Sequence, residues 1–352
     1  VAALARQPTG DPYRLFAAGA RRADRPALPE QNFTWHPTRI TPHWFARIWH
    51  RLRLPLPVEV FTGAVDLFHA TDFVLPPTLP RTRTLLTVHD LSFVRVPESA
   101  SPRLKDYLDV VVPRSARRAN HILADSQATK DDLIELYHLP PEKITVLLSG
   151  VDARFRPADE SARHSIRRRL QLDTKPYILA VGTVQPRKNY IRLIEAFSQL
   201  HHSERDLQLV IAGGKGWLDD PIYRAVEALR VQDSVHFVGF IADADLPALY
   251  SEARCLAFPS LYEGFGLPIL EAMACGTPVV TSNVSSMPEA AGDTALLVDP
   301  YDVEALASAL ERLQHDETLR ADLIQRGQIR AADFTWDRAA EQLSIIYRQM
   351  LA

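Results

Sequence analysis

The chain reads as α/β: two domains, each a doubly wound parallel sheet, facing one another across a cleft. Three observations predict this. From Tyr177 onward, short Val/Ile/Leu-rich runs of strand length alternate with longer amphipathic ones. The first half repeats that rhythm less regularly, and a turn followed by a Pro interrupts it between Ser149 and Glu160. Near-continuous apolar strands separated by helices argue for parallel sheets covered on both faces, a Rossmann-like arrangement. Such open sheets bind ligands beyond the carboxyl ends of their strands, so two of them set face to face place a site between the domains.

Taken in order, Val1–Gln7 has the character of a helix tail and is followed by Asp11-Pro12 and a strand-like Tyr13–Phe16. A parallel sheet should open on a strand that feeds such a helix, so the expectation is a first domain that lacks its N-terminal strand. Trp44, Phe45, Ile48, Trp49 and Leu52 fall on one helical face, with Arg47, Arg51 and Arg53 elsewhere. That pattern fits a core-packing helix with exposed arginines, and it also fits an interfacial membrane helix. Strands follow at Val65–Ala70, Thr84–Val88, His121–Asp125 and Ile144–Leu148. The boundary falls in the Ser149–Glu160 stretch, ahead of an Arg-rich helix around Ser165–Leu170, which gives domains at 1–155 and 156–335. The second sheet is assigned to Tyr177–Gly182, Leu207–Gly213, Val235–Gly239, Cys255–Phe258, Pro278–Thr281 and Ala295–Val298. The last helix, 336–352, is separated from that sheet and is expected to cross back and complete the first domain.

At 352 residues, with 46% hydrophobic and 24% charged residues, the chain can build two full cores. Cys255 and Cys275 both lie in apolar segments, which suits buried thiols of a reducing compartment and not a disulfide. The longest apolar stretches are strand-sized and no signal-peptide pattern opens the chain, so the expected location is cytoplasmic. Net charge is −3, with 20 Lys+Arg against 16 Asp+Glu in residues 1–155 and 20 against 27 in the remainder. This asymmetry is too diffuse for nucleic acid, but it leaves a membrane surface or an anionic acceptor open.

The most informative segment runs from Pro259 to Gly276, where Glu263 and Glu271 stand eight residues apart across a Gly-rich turn and a helix start. Gly264 and Gly266 let backbone approach a ligand closely. Pro268 suits the first helical turn, so the amides of Leu267, Ile269 and Leu270 should crown a helix N-terminus, which favours an anion, most often phosphate. Carboxylates are unattractive beside bare phosphate, so both acids are better placed to accept hydrogen bonds from sugar hydroxyls on either side of it. The implied ligand is a sugar joined to a nucleotide through phosphate.

Other signals have blander readings. Asp243-Ala-Asp245 imitates a metal-binding Asp-x-Asp, but it precedes Leu246–Tyr250, where Asp serves as a helix cap, and no metal is expected. Gly213–Trp217 lacks Gly-Lys-Ser/Thr and reads as a βα turn near a nucleotide base. His69, in Leu67–Asp72, fits a satisfied core histidine as well as a site residue.

Three passages together carry a resemblance: Glu263-Gly-Phe-Gly-Leu-Pro-Ile-Leu-Glu271, Val181-Gly-Thr-Val-Gln-Pro-Arg187-Lys188-Asn189 and Ser286-Met-Pro288-Glu289-Ala-Ala-Gly292. The chain closely resembles the retaining glycosyltransferases of family 4, which have the two-domain GT-B fold. The similarity covers almost its whole length and is strongest in the second half. It implies a hexosyltransferase that moves a sugar from a nucleoside diphosphate donor to a saccharide or lipid-linked acceptor hydroxyl. Neither a metal nor any cofactor beyond the donor is implied.

By this resemblance Arg187 and Lys188 neutralise the donor diphosphate. The residues agree, because Gly182–Pro186 is a turn after a strand that would aim both cations into the cleft. Glu271 matches the residue that holds the ribose and Glu263 the one that contacts the donor sugar. The amides near Phe265, Gly266 and Leu267, beside Gly264, match those facing the distal phosphate. His89, in Thr87-Val-His-Asp90, matches a histidine reaching donor sugar and acceptor from the opposite wall. The resemblance also implies that the segment expected before Val1 holds a Gly-rich loop, and that contact with the inner face of a membrane is open. Ser286–Asp299 looks mannosyltransferase-like, which points to GDP-mannose. The rival readings are a catalytically silent nucleotide-sugar-binding module, if the first domain cannot complete the cleft, and a dehydrogenase. The second is disfavoured because no Gly-x-Gly-x-x-Gly follows a first strand.

Overall fold

The computed structural model describes residues 1–8, 10–25, 32–172 and 175–352. The first half runs α1 (Ala2–Ala5), β1 (Tyr13–Ala18), β2 (Phe33–Thr38), α2 (Pro42–Phe45), α3 (Glu59–Thr62), β3 (Leu67–Ala70), β4 (Arg83–Val88), α4 (Ser92–Arg95), α5 (Pro102–Arg118), β5 (His121–Ala124), α6 (Gln127–Tyr137) and β6 (Ile144–Val146). The second runs α7 (Glu160–Arg169), β7 (Tyr177–Val181), α8 (Tyr190–Ser203), β8 (Gln208–Ala212), α9 (Asp220–Ala228), β9 (Val235–Gly239), α10 (Leu246–Glu252), β10 (Cys255–Phe258), α11 (Leu267–Ala274), β11 (Val279–Ser282), α12 (Met287–Ala291), β12 (Leu296–Val298), α13 (Val303–His315), α14 (Glu317–Ala332) and α15 (Trp336–Leu351).

The first sheet has the order β3-β4-β5-β6, all parallel. Alternation along its strands sends Leu86, Val88, Ile122 and Ala124 toward Val112 of α5 and Leu133 of α6. Leu85 and Leu123 face the other way and pack with Ile346 of α15, so the chain's last helix covers this face. Tyr347 on α15 also meets His69, whose Nδ1 lies 2.7 Å from the phenol oxygen while Nε2 lies 2.8 Å from Thr87 Oγ1. Burial lowers His69 to about 4, so it is a neutral, satisfied core histidine.

β1 joins neither large sheet but pairs in parallel with β2, the Tyr13 ring stacking on Phe33 at 4.8 Å. The sequence reading missed β2 because Pro37 argues against a strand. In a pair of strands every strand is an edge, and an edge tolerates a missing N–H.

The second sheet is parallel in the order β12-β11-β10-β7-β8-β9. Ile178, Ala180, Leu209 and Ile211 pack with Leu193, Phe197 and Leu310 on one face. Tyr177, Leu179, Val210, Leu256 and Phe258 pack with Ile269, Leu270 and Met273 on the other. Both faces are covered, which is why its strands read as unbroken apolar runs. The order reverses at β7, with β8 and β9 on one side and β10 to β12 on the other. That switch point opens a crevice at the carboxyl ends of β7 and β10, from which Gly182–Asn189 and Pro259–Gly266 emerge.

The backbone passes between the two sheets twice, and the two passages run side by side. Val151 N–H donates to the Phe334 carbonyl at 3.0 Å, and a Cβ on Gly150 would come within 2.1 Å of Trp336 N. Only glycine admits that approach.

Two local expectations are corrected. Asp245 precedes α10 but makes no side-chain cap, because its carboxylate is taken by Arg169 at 2.7 Å; Asp243 lies 3.6 Å from Arg154. The Trp44–Leu52 stretch is not one amphipathic helix but α2 followed by a π-helical turn over Ala46–Arg51. This break divides its apolar residues. Phe45 is buried and stacks on Trp49 at 4.1 Å, with Phe61 edge-on, whereas Trp44 and Leu52 are 53% and 64% exposed. Among the described residues no helix is long and apolar enough to cross a membrane. Cys255 and Cys275 are free, buried thiols that burial pushes up to about 12.

Candidate active site

At the switch point the segment after β7 brings Arg187 and Lys188 together with Glu263 from the loop after β10. Lys188 Nζ lies 2.7 Å from Glu263 Oε1, and Arg187 Nη1 lies 2.6 Å from Oε2. Arg187 also donates to the Tyr262 carbonyl at 2.6 Å, and the Lys188 ammonium sits 4.6 Å above the Phe258 ring. Gly182 makes room for this: its φ is +143°, and a Cβ there would fall 2.7 Å from Lys188 Cε. Its place in the site is therefore to let the lysine stem pass.

Lys188 and Glu263 are buried and Arg187 is mostly so, and each therefore needs a counter-charge within reach. Burial pushes Glu263 upward, but Lys188 and Arg187 outweigh it and hold its carboxyl at about 2. Burial lowers Lys188, and Glu263 opposes that. Burial also works against Arg187, yet Glu263 and Asp90 raise it above its ordinary value. From sequence, the two cations are expected to face a ligand and the acid to face sugar hydroxyls. Here they satisfy one another.

Helix α11 begins at Leu267 after Gly266, whose φ of +101° turns the chain into the helix. One expectation fails at this point. The Ile269 N–H, counted among the free donors, turns back to the Gly266 carbonyl at 2.9 Å. Phe265 is buried in the second core with its ring 5.7 Å from Phe334, so only its backbone can serve a ligand. Leu267 packs partly against the same core.

Glu271 stands apart from the charged cluster, and Tyr250 OH donates to its Oε2 at 2.9 Å. Burial drives it up to about 7, with Tyr250 opposing and Asp243 and Asp152 adding to the rise.

The opposite wall is His89, at the end of β4. Its Nδ1 lies 2.8 Å from Asp125 Oδ2 and its Nε2 lies 3.0 Å from the Thr71 carbonyl. The bond to Asp125 raises its pKa, burial opposes, and the charges of Asp125 and Asp72 add to the rise. With acceptors at both ring nitrogens, the protonated ring is the form these partners favour. Gly264 closes the gap between the walls, since a Cβ there would lie 2.2 Å from the His89 carbonyl oxygen.

This geometry accompanies two family matches. Residues 2–155 match the model described as Glycosyltransferase Family 4, and residues 162–330 the one described as Glycosyl transferases group 1. The O-antigen chain mannosyltransferase B of Escherichia coli is 34% identical over 283 residues, 80% of this chain and 74% of that protein. The chain belongs to the family 4 glycosyltransferases.

A second relative, the D-inositol 3-phosphate glycosyltransferase of Salinispora arenicola, is 39% identical over 249 residues, which is 66% of this chain and 56% of that protein. Among solved structures, the sucrose-phosphate synthase of Thermosynechococcus elongatus superposes with a TM-score of 0.73 at 23% identity, over 96% of this chain and 88% of that one. That likeness is one of fold, and the fold is GT-B.

Sequence reasoning misses three residues that border the candidate site of this glycosyltransferase. Tyr250 sits twenty-one positions from Glu271 in a plain helical run. Asp125, the partner of His89, reads from sequence as the end of the strand His121–Asp125. Tyr262, next to Glu263, sends its hydroxyl to Asp132 in the other half of the molecule. Only the last had a usable signal, an aromatic with a polar tip beside a candidate acid.

Proposed function

We propose that this chain transfers a hexose from a nucleoside diphosphate sugar to a saccharide or lipid-linked acceptor hydroxyl, with retention at the anomeric carbon. GDP-mannose is the first candidate donor, supported by the mannosyltransferase relative. The observation that carries the reading is the buried Arg187–Lys188–Glu263 cluster at the switch point. Two fixed cations with a displaceable counter-charge suit a diphosphate, which takes them over when it enters. Glu263, released from them, then turns to the sugar hydroxyls it was placed beside.

As the glycosidic bond to phosphate breaks, negative charge grows on the distal phosphate. Arg187, Lys188 and the start of α11 meet it; losing one such contact costs about 3 kcal/mol of barrier. The cations give a metal-independent route. The departing phosphate takes the acceptor proton on the same face of the sugar, so no enzymic nucleophile is required. Glu271 binds the ribose, and His89 orients sugar and acceptor.

A panel of GDP-, UDP- and dTDP-sugars tests the donor by thermal shift and by turnover with and without chelator. Arg187→Ala should lower turnover roughly a hundredfold while the protein still folds. Wild-type turnover in that variant would remove the diphosphate assignment, and donor binding without any turnover in the native chain would favour the silent module. Exposed Trp44, Leu52 and Leu54 near Arg47 and Arg51 support contact with an anionic bilayer. Binding to anionic vesicles that persists in Trp44→Ser would end that part of the reading.

A further inference from the structure

Ser286-Met-Pro-Glu289 has so far no role, and its acid reaches into the other half of the molecule. The backbone N–H of Gln127, first residue of α6, donates to the Glu289 carboxylate at 2.8 and 3.1 Å from its two oxygens, and the Ala128 N–H is directed at it as well. The first N–H groups of a helix lack intrahelical partners and carry partial positive charge, so a carboxylate there is both cap and ion–dipole contact. Helix α6 already has its own cap, Ser126 Oγ, which accepts from Thr129 N–H at 3.1 Å. Glu289 is thus a second cap supplied from the opposite sheet's side of the cleft.

The same helix receives the loop that carries Glu263. Tyr262 OH donates to Asp132, and Thr129 Oγ1 lies 3.4 Å from the Gly264 carbonyl. Asp132 is itself held by Arg95 Nε at 2.7 Å. The segment leading to Glu289 meanwhile grips Glu263 from behind, Ser285 and Ser286 donating their hydroxyls to its carbonyl at 2.6 and 2.8 Å. Helix α12 does not need the Glu289 carboxylate for its own placement, because Arg330 anchors it by donating to the Glu289 and Ala290 carbonyls.

We propose that Glu289 is a positioning residue: by capping α6 across the cleft it holds the two halves closed and thereby fixes Glu263 against Arg187 and Lys188. The effect on turnover rests on the transferase reading given above; the closure does not.

Small-angle scattering of the ligand-free protein, paired with steady-state kinetics and melting curves, tests this. Glu289→Ala should enlarge the radius of gyration, leave the melting temperature within error of wild type, and lower kcat roughly tenfold. KM for the donor should change less, because the cations that bind it are untouched. Glu289→Gln keeps an oxygen for the Gln127 N–H and should recover most of both the compactness and the kcat. An alanine variant that scatters as compactly as wild type overturns the proposal whatever its turnover. So does one that opens with no fall in kcat, or a glutamine variant no better than alanine. Should the native chain turn over no sugar donor, scattering alone still decides whether Glu289 closes the cleft.

Discussion

At the loop end of one short segment, Glu263 is clamped between Lys188 at 2.7 Å and Arg187 at 2.6 Å. At its helix end, Glu271 accepts from the hydroxyl of Tyr250 at 2.9 Å, with no cation bonded to it among the described residues. Burial pushes both acids upward. It loses at the first, which falls from an ordinary 4.5 to about 2, and wins at the second, which rises to about 7. Residue type and motif are shared; the presence of a buried cation decides which acid is a permanent anion and which titrates near neutrality. The consequences for stability have opposite signs. Glu263 contributes stability that is full above 4.5 and lost as pH falls toward 2. Glu271 holds its proton more tightly in the folded chain, so its contribution is greatest below 4.5 and declines as pH rises from there to about 7.

The largest effect should come from removing one clamp. Lys188→Ala takes one of its two counter-charges from the buried Glu263 carboxylate, and breaking such a pair costs about 3–5 kcal/mol. Turnover should fall about a hundredfold or more. Adding Glu263→Gln to that variant should not rescue it: Arg187 then loses its counter-charge at 2.6 Å, so stability, measured by urea unfolding at pH 7, should fall further and activity should stay lost. If the double variant is as stable as the single one, Glu263 does not neutralise Arg187 and the contrast with Glu271 collapses.

A smaller loss follows from crowding the clamp without removing a charge. In Gly182→Ala the new methyl group lies 2.7 Å from Lys188 Cε at a φ of +143°, so the lysine stem has to shift. Backbone strain of this kind costs of the order of 1–3 kcal/mol, and kcat should fall less than in Lys188→Ala. Equal kcat in Gly182→Ala and wild type would show that the position of the ammonium group is not critical.

The unequal legibility of the molecule has the same origin as the unequal acids. The second sheet could be read from sequence because both its faces are covered, which makes each strand a near-continuous apolar run. Its order could not, since nothing in Tyr177–Val181 or Cys255–Phe258 says that the two lie side by side. That adjacency is what brings residue 263 to residues 187 and 188 across some 75 positions of chain. The sequence therefore reads Arg187, Lys188 and Glu263 as ligand chemistry and gives no sign that they are partners of one another. β2 escaped notice because Pro37 is a local signal against strands, and the π-helical turn after α2 because side-chain periodicity assumes an unbroken helix. Tyr250, which shapes the titration of Glu271, has no sequence mark at all.

Tyr250 offers the gentlest test of the comparison. Its hydroxyl opposes the rise of Glu271, so Tyr250→Phe should move that acid further above its present value while leaving Glu263 untouched. If the carboxylate form of Glu271 binds the ribose, wild-type affinity for GDP or UDP, measured by titration calorimetry, strengthens as pH rises through about 7. In Tyr250→Phe the same rise should be displaced to higher pH, leaving affinity at pH 7 roughly threefold to tenfold weaker, the range of one lost hydrogen bond. Glu271→Gln should flatten the curve altogether. A pH profile identical in wild type and Tyr250→Phe would mean that this acid does not meet the nucleotide, and that the helix end of the segment serves the fold and not the donor.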